Sequence, residues 1–225
     1  MIYQPPLILS YNNPLSQMSN INASVIWLHG LGADGYDFEP IVAQLQLPNV
    51  RFILPHAPVM PVTINNGYTM PAWYNLYGLT AGSPEDEAGI QASQHYVNTL
   101  IQKEIDSGIP AHKIVIAGFS QGGAMALYTA LRYPKPLAGI LALSTYLPLK
   151  TRLANELNPA NQTTPIFMAH GIYDEVISLA TSQASRDLLQ SRQISVTWQE
   201  YNMAHSVCNE EIADIRAFLQ QVLVE

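Results

Sequence analysis

Five residues, Gly118-Phe119-Ser120-Gln121-Gly122, constrain this chain more than any others. Just before them lies a short β-branched apolar run, Ile114 to Ala117, suited to a strand buried on both faces. Just after them, Ala124 to Leu131 are good helix formers, and Tyr133-Pro134 stands where such a helix should stop. Between strand and helix the pattern is G-x-S-x-G. It arises by chance with probability ~0.07 in a chain this long, so its placement carries the argument. The chain must reverse direction within a few residues, and a Cβ at either flanking glycine would collide with the neighbouring strand or helix. Ser120 is therefore expected in a strained backbone conformation, its hydroxyl lifted clear at the positive end of the following helix.

The rest of the chain supplies the sheet that such a turn needs. Buried strands are expected at Ala23 to Leu28, Val50 to Leu54, Gly139 to Ser144, Ile166 to His170 and Val196 to Tyr201, with a short opening strand at Pro6 to Ser10. A turn at Asn12-Asn13-Pro14 follows that first strand. Helical spacing marks Tyr36 to Leu45, Ser83 to Asp106, Ser178 to Arg192 and the segment from Ser206 onward. Ser83-Pro84-Glu85-Asp86 reads as a helix start with Ser83 as its cap, and Ser107-Gly108 as the corresponding stop. Strands alternating with helices predict an α/β fold, a mostly parallel central sheet with helices on both faces. Residues 1–225 read as one domain. From Pro55 to Pro84 prolines and glycines break up any periodicity, yet Tyr68, Trp73, Tyr74 and Tyr77 make the segment too aromatic for a linker. It is expected to be a lid or pocket wall. Thr145 to Thr164 reads as mostly loop.

Composition narrows the partners. The net charge is −7 and charged residues make up only 12%, which argues against nucleic acid, since phosphate binding draws on clustered Lys and Arg. No apolar run approaches the ~20 residues that span a bilayer, and Met1 to Tyr11 lacks the basic start of a signal peptide. The single cysteine, Cys208, excludes an internal disulfide and suits a reducing, cytoplasmic setting. Neither a phosphate-cradling glycine pattern nor metal-ligand spacing is present, so no cofactor and no metal are expected.

A serine hydroxyl is a poor nucleophile until a base takes its proton, and the base must itself be oriented by an acid. With the serine on a strand-to-helix turn, the order along the chain is Ser, then Asp or Glu, then His. Four of the six histidines precede Ser120, and His170 has no suitable acid between it and the serine. His205, between the last strand and the last helix, is the base that remains. Asp174 follows the strand ending at His170 and is the best-placed acid. Adjacent Glu175 competes with it, and a turn aspartate could serve only as a cap. A developing oxyanion needs two donors. Gln121 offers its N–H from the turn itself, and Leu31 offers a second from the glycine-rich loop His29-Gly30-Leu31-Gly32, with His29 as a buttress of that loop. Cys208 reads as a small core residue of the last helix.

With these residues placed, the chain resembles the acyl-protein thioesterase and carboxylesterase family of α/β-hydrolases. The resemblance runs from about Ala23 to Phe218. It rests on Val25-Ile26-Trp27-Leu28-His29-Gly30-Leu31-Gly32-Ala33-Asp34, Pro55-His56-Ala57-Pro58, Met70-Pro71-Ala72-Trp73-Tyr74, Glu85-Asp86-Glu87-Ala88-Gly89-Ile90, the Ser120 motif, His170-Gly171 with Asp174, and His205-Ser206. It implies an α/β-hydrolase fold and an esterase or thioesterase using Ser120, Asp174 and His205, with Leu31 and Gln121 as oxyanion donors. It also implies an apolar acyl channel, at positions Leu31, Trp73, Tyr77, Tyr146 and Val176. The family commonly has Asp where this chain has Asn75, so the hydrogen bonding around that residue is expected to differ. The substrate implied is a small ester, an acyl chain or an acylated protein. Rival readings are a lysophospholipase and a binding protein on the same fold, and both a monomer and a homodimer through the lid face stay open.

Overall fold

The computed structural model describes residues 3–10, 21–80 and 82–224. The expected turn at Asn12-Asn13-Pro14 lies outside the described residues. Among the described residues nine strands form: β1 (Leu7–Ser10), β2 (Ala23–Leu28), β3 (Val50–Leu54), β4 (Val59–Val62), β5 (Tyr68–Pro71), β6 (Ile114–Phe119), β7 (Gly139–Leu143), β8 (Ile166–Gly171) and β9 (Val196–Tyr201). The main sheet has the order β1-β3-β2-β6-β7-β8-β9. β1 pairs antiparallel with β3, and every other pairing in that sheet is parallel.

Parallel strands need covering on both faces, and their side chains divide accordingly. In β6, Ile114 and Ile116 enter one apolar cluster while Val115 and Ala117 enter the other. The first cluster is closed by α2 (Glu87–Asp106), α3 (Gln121–Ala130) and α5 (Leu179–Ser191), through Ile90, Leu127 and Leu189. The second is closed by α1 (Glu39–Leu45) and α6 (Asn209–Val224), through Val42, Leu45, Ile215 and Leu219. The order of strands reverses between β2 and β6. Chain leaving β2 crosses to β3 on one side, and chain leaving β6 crosses to β7 on the other. Such a crevice at the carboxyl ends of strands is where open α/β sheets bind ligands.

Several elements differ from the sequence reading. The expected helix Tyr36 to Leu45 is split: a 3₁₀ turn at Gly35–Phe38, capped by Asp34, precedes α1, and Pro40 sits at the start of the α-helical part. α2 begins at Glu87 with Asp86 as its cap, accepting from the Gly89 N–H at 3.0 Å; Ser83 instead shares a hydrogen bond with Thr80. Thr145 to Thr164 contains the short helix α4 (Leu153–Glu156) and two 3₁₀ turns. The Pro55 to Pro84 segment is more ordered than expected. β4 and β5 form an antiparallel hairpin, turned through Asn66 and Gly67 at φ +54° and +76°. Just beyond it, Trp73 and Tyr74 are buried in the core, not carried on a lid.

Candidate active site

The turn after β6 is built as its glycines predict. A Cβ on Gly118 would stand 2.2 Å from Gly122 O, and one on Gly122 would stand 2.2 Å from Leu28 O of β2. Only hydrogen fits at either position. Ser120 is forced to φ +54°, ψ −122°, a conformation that costs a side-chain-bearing residue about 1–3 kcal/mol. Besides the first helical bond of α3, from the Ala124 N–H to its carbonyl at 3.1 Å, two bonds hold it there. Its N–H donates to Leu143 O of β7 at 2.9 Å, and its carbonyl accepts from Thr145 Oγ1 at 2.6 Å.

His205, in the loop between β9 and α6, reaches this serine: its Nε2 lies 2.9 Å from Ser120 Oγ. Its Nδ1 lies 2.7 Å from Asp174 Oδ2. The geometry thus brings together the three residues that sequence order selected. Asp174 follows β8, and its Oδ1 accepts the Val176 and Ile177 N–H groups at 2.9 and 2.8 Å. It is a turn cap and the histidine's partner at once, while Glu175 is exposed. The His205 ring rests on Phe119 with centroids 4.7 Å apart. Gly171 makes the loop's close approach feasible, because a Cβ there would meet Ala204 O at 2.3 Å.

The loop after β2 runs beside the serine. A Cβ on Gly30 would lie 3.4 Å from Ser120 Cβ. The Gly32 N–H donates to Pro71 O and the Ala33 N–H to Gly30 O, which fixes the loop around Leu31. Gln121 opens α3, so its N–H is among those a helix cannot pair internally. His29 acts as the expected buttress. Its Nδ1 donates to Gly30 O at 2.7 Å and its Nε2 accepts the Ala57 N–H at 3.0 Å. Burial pushes its pKa down to about 4, so the ring is neutral.

A cavity of about 340 Å³ lies between the segment after β5 and the start of α5. Leu76, Leu79, Tyr146, Leu147, Ile177 and Ala180 are among its walls. Two of its walls stand one step from the site: Tyr146 follows Thr145, whose hydroxyl bonds the Ser120 carbonyl, and Ile177 donates its N–H to Asp174. Of the five expected channel residues, Tyr146 is the one that lines this cavity. Trp73 is a correction: it is fully buried, donating Nε1–H to His29 O at 2.8 Å, and so supports the loop instead of facing a ligand. Tyr77 and Val176 are half exposed beside the cavity walls, and Leu31 belongs to the loop over the serine.

One contribution carries no signal in the sequence. The Gln121 side chain, buried behind the turn, accepts from the Trp73 N–H at 2.9 Å and donates to Tyr74 O at 2.7 Å. It ties the serine turn to the cavity wall, where Tyr74 and Tyr146 share a hydroxyl hydrogen bond of 2.8 Å. Asn75 accepts the Thr63 N–H and donates to Thr63 Oγ1, at 2.8 and 2.9 Å. An aspartate could make the first bond but would need the hydroxyl to donate for the second. Burial and nearby acids push the Cys208 thiol up, away from nucleophilic behaviour. Among the described residues no cluster of His, Cys, Asp and Glu could hold a metal ion, and no helix is long and apolar enough to cross a membrane.

Comparison with known proteins bears on the family and the fold. The sequence profile of the phospholipase/carboxylesterase family matches residues 15–223. Acyl-protein thioesterase 1 of Neurospora crassa is 45% identical, over 98% of this chain and 92% of its own. The protein of that name from Gibberella zeae is 40% identical, over 91% and 92%. Among solved structures, Zea mays acyl-protein thioesterase 2 superposes with TM-score 0.86 at 30% identity, over 98% of this chain and all of its own. Arabidopsis thaliana SOBER1 superposes at 0.85 and 32%, over 89% and 99%.

Proposed function

This chain belongs to the phospholipase/carboxylesterase family of α/β-hydrolases and is a hydrolase of carboxylic esters and thioesters, and on that premise we propose that Ser120, His205 and Asp174 carry its reaction. The observation that supports this most is the continuous hydrogen-bonded line from Ser120 Oγ through His205 to Asp174, at 2.9 and 2.7 Å. His205 Nε2 takes the serine proton as Oγ attacks the acyl carbon. The negative charge then passes to the former carbonyl oxygen, which the N–H groups of Leu31 and Gln121 receive. Asp174 holds the Nδ1–H tautomer and stabilises the charged imidazole. His205 next returns the proton to the departing alcohol or thiol, leaving an acyl-serine. Water repeats the sequence and frees the acid.

The cavity between Tyr146, Leu76, Leu79 and Ile177 would take the acyl chain. At about 340 Å³ it sits at the small end of ordinary ligand sites, which favours short to medium chains. An acylated protein could present such a chain from outside. The single cysteine fits a reducing cytoplasm. Whether the chain is a monomer or a homodimer is read by sedimentation, as a species of 24.8 kDa or of twice that mass.

The test is hydrolysis of matched oxygen-ester and thioester series from two to sixteen carbons, by the native protein and by Ser120→Ala. Turnover with a chain-length optimum, lost in the variant, is expected. Absence of turnover across both series would leave a binding protein on the same fold.

A further inference from the structure

Asp174 Oδ2 faces two imidazoles. Besides His205, His170 at the end of β8 brings its Nε2 to 3.3 Å from the same oxygen, and both side chains of this second pair are fully buried. His170 Nε2 also lies 2.8 Å from Ile177 O. Both groups facing that nitrogen are acceptors, so the proton must be on Nε2, shared between the carbonyl and the carboxylate. Nδ1 is then a bare lone pair, consistent with its having no hydrogen-bond partner among the described residues. A second proton there would be a buried donor with nothing to bond.

A carboxylate has about four lone-pair positions. Two backbone N–H groups fill those on Oδ1, and His205 with His170 fills those on Oδ2. We propose that His170 is a positioning residue of the reaction: as a neutral donor it holds Asp174 in line with His205 and draws off part of the carboxylate's charge. The proposal rests on the triad reading above. It explains why the acid can be buried without a cation beside it. A lysine or arginine there would compete with His205 for the same oxygen, whereas a neutral imidazole steadies it and leaves the charge to act on His205.

Burial lowers the pKa of His170, which favours the neutral ring that its two acceptor neighbours already require. The titratable groups facing it are Asp174, His205 and Glu200. Glu200 is already held by the N–H groups of Gln183 and Trp198, and the Trp198 ring stacks on His170 at 6.4 Å.

The test compares the native protein with His170→Leu and His170→Gln, whose amide can place a donor near the position of Nε2. Three quantities are measured: the pH profile of kcat/KM on a soluble ester, the downfield proton resonance of His205 Nδ1–H, and thermal stability. Without the His170 donor, the full carboxylate charge falls on His205, which keeps its proton to higher pH. In His170→Leu the acid limb should therefore move to higher pH and the resonance downfield, with kcat lower by about tenfold to a hundredfold from misplacement of the acid. His170→Gln should return both signals toward native. If His170→Leu does not fold, His170→Asn, whose shorter amide falls away from Oδ2, must show the same displacement. An unmoved limb and resonance, whatever the loss of stability or rate, would make His170 a packing residue and overturn the proposal. A native protein that turns over no ester would instead defeat the hydrolase reading, and the resonance would still report on the contact.

Discussion

Replacing Gln121 by leucine tests whether the serine turn and the cavity wall form one unit. The substitution keeps the backbone N–H and nearly the volume, but removes the acceptor for the Trp73 N–H and the donor to Tyr74 O. Trp73 and Tyr74 are 0% and 2% exposed, so water has little access to either group. A buried polar group left unpaired costs about 1–3 kcal/mol, so the pair should cost about 2–6 kcal/mol. In a chain of this size each kcal/mol lowers Tm by about 2–4 °C, giving a fall of about 4–24 °C. Activity should change unevenly. Tyr74 is hydrogen-bonded to Tyr146 in the cavity wall, so kcat/KM for long-chain esters should drop more than for acetate. Gln121→Glu is the control. It keeps the acceptor for the Trp73 N–H but sets a carboxylate against Tyr74 O, and should be no more stable than the leucine variant. Thermal melting followed by circular dichroism, with kinetics on two esters, reads both effects. A Tm within about 2 °C of native and an unchanged chain-length profile would refute the reasoning.

Gly122→Ala should be far more damaging than Gly67→Ala. At Gly122 the new Cβ meets backbone oxygens at 2.2 and 2.5 Å, so destabilisation should exceed the ~1–3 kcal/mol of ordinary overpacking. At Gly67 nothing lies within 4 Å and only the φ of +76° opposes a side chain, for about 1–2 kcal/mol; denaturant melts of the two variants separate these outcomes. Glu211 is fully buried, with neither carboxylate oxygen hydrogen-bonded. Burial raises its pKa to about 8, and the nearby Asp214 charge pushes the same way. The folded state therefore holds a proton that the unfolded chain has released above about pH 4.5, so the contribution of Glu211 to stability falls as pH rises from there to about 8. Glu211→Gln should remove that decline, and parallel pH dependences for variant and native protein would contradict it. Ala180→Phe, in the cavity wall, should lower kcat/KM for esters of eight or more carbons about tenfold and leave acetate within about twofold; equal losses on both would place the acyl chain elsewhere.

Much of the site could be read in sequence because its constraints are local or ordinal. The collisions at Gly118 and Gly122 involve atoms within a few residues or on the adjoining strand, so the pattern and its setting were enough to place Ser120. Chain order then eliminated all histidines but His205. Where meaning depended on distant partners, the reading failed. Trp73 looked like a lid aromatic because nothing local shows that its indole N–H reaches His29 O across 44 residues. Pro61 and Pro71 masked the alternation of β4 and β5, and only Asn66-Gly67 carried the hairpin signal. The cap of α2 moved from Ser83 to Asp86 because Leu76 and Glu85 form a β-bridge that keeps the intervening chain out of the helix. Chain order says nothing of a role for His170 beside Asp174, because that contact exists only once the turn after β8 folds back.

The claim on which the whole account depends is that Ser120 Oγ becomes the acylated atom. Treating the native protein and Ser120→Ala with a fluorophosphonate, followed by intact mass and peptide mapping, tests it directly. The account predicts one label on the native protein, within the peptide containing Ser120, and none on a folded Ser120→Ala variant. A label on another residue, or undiminished labelling and ester turnover in the variant, would contradict it.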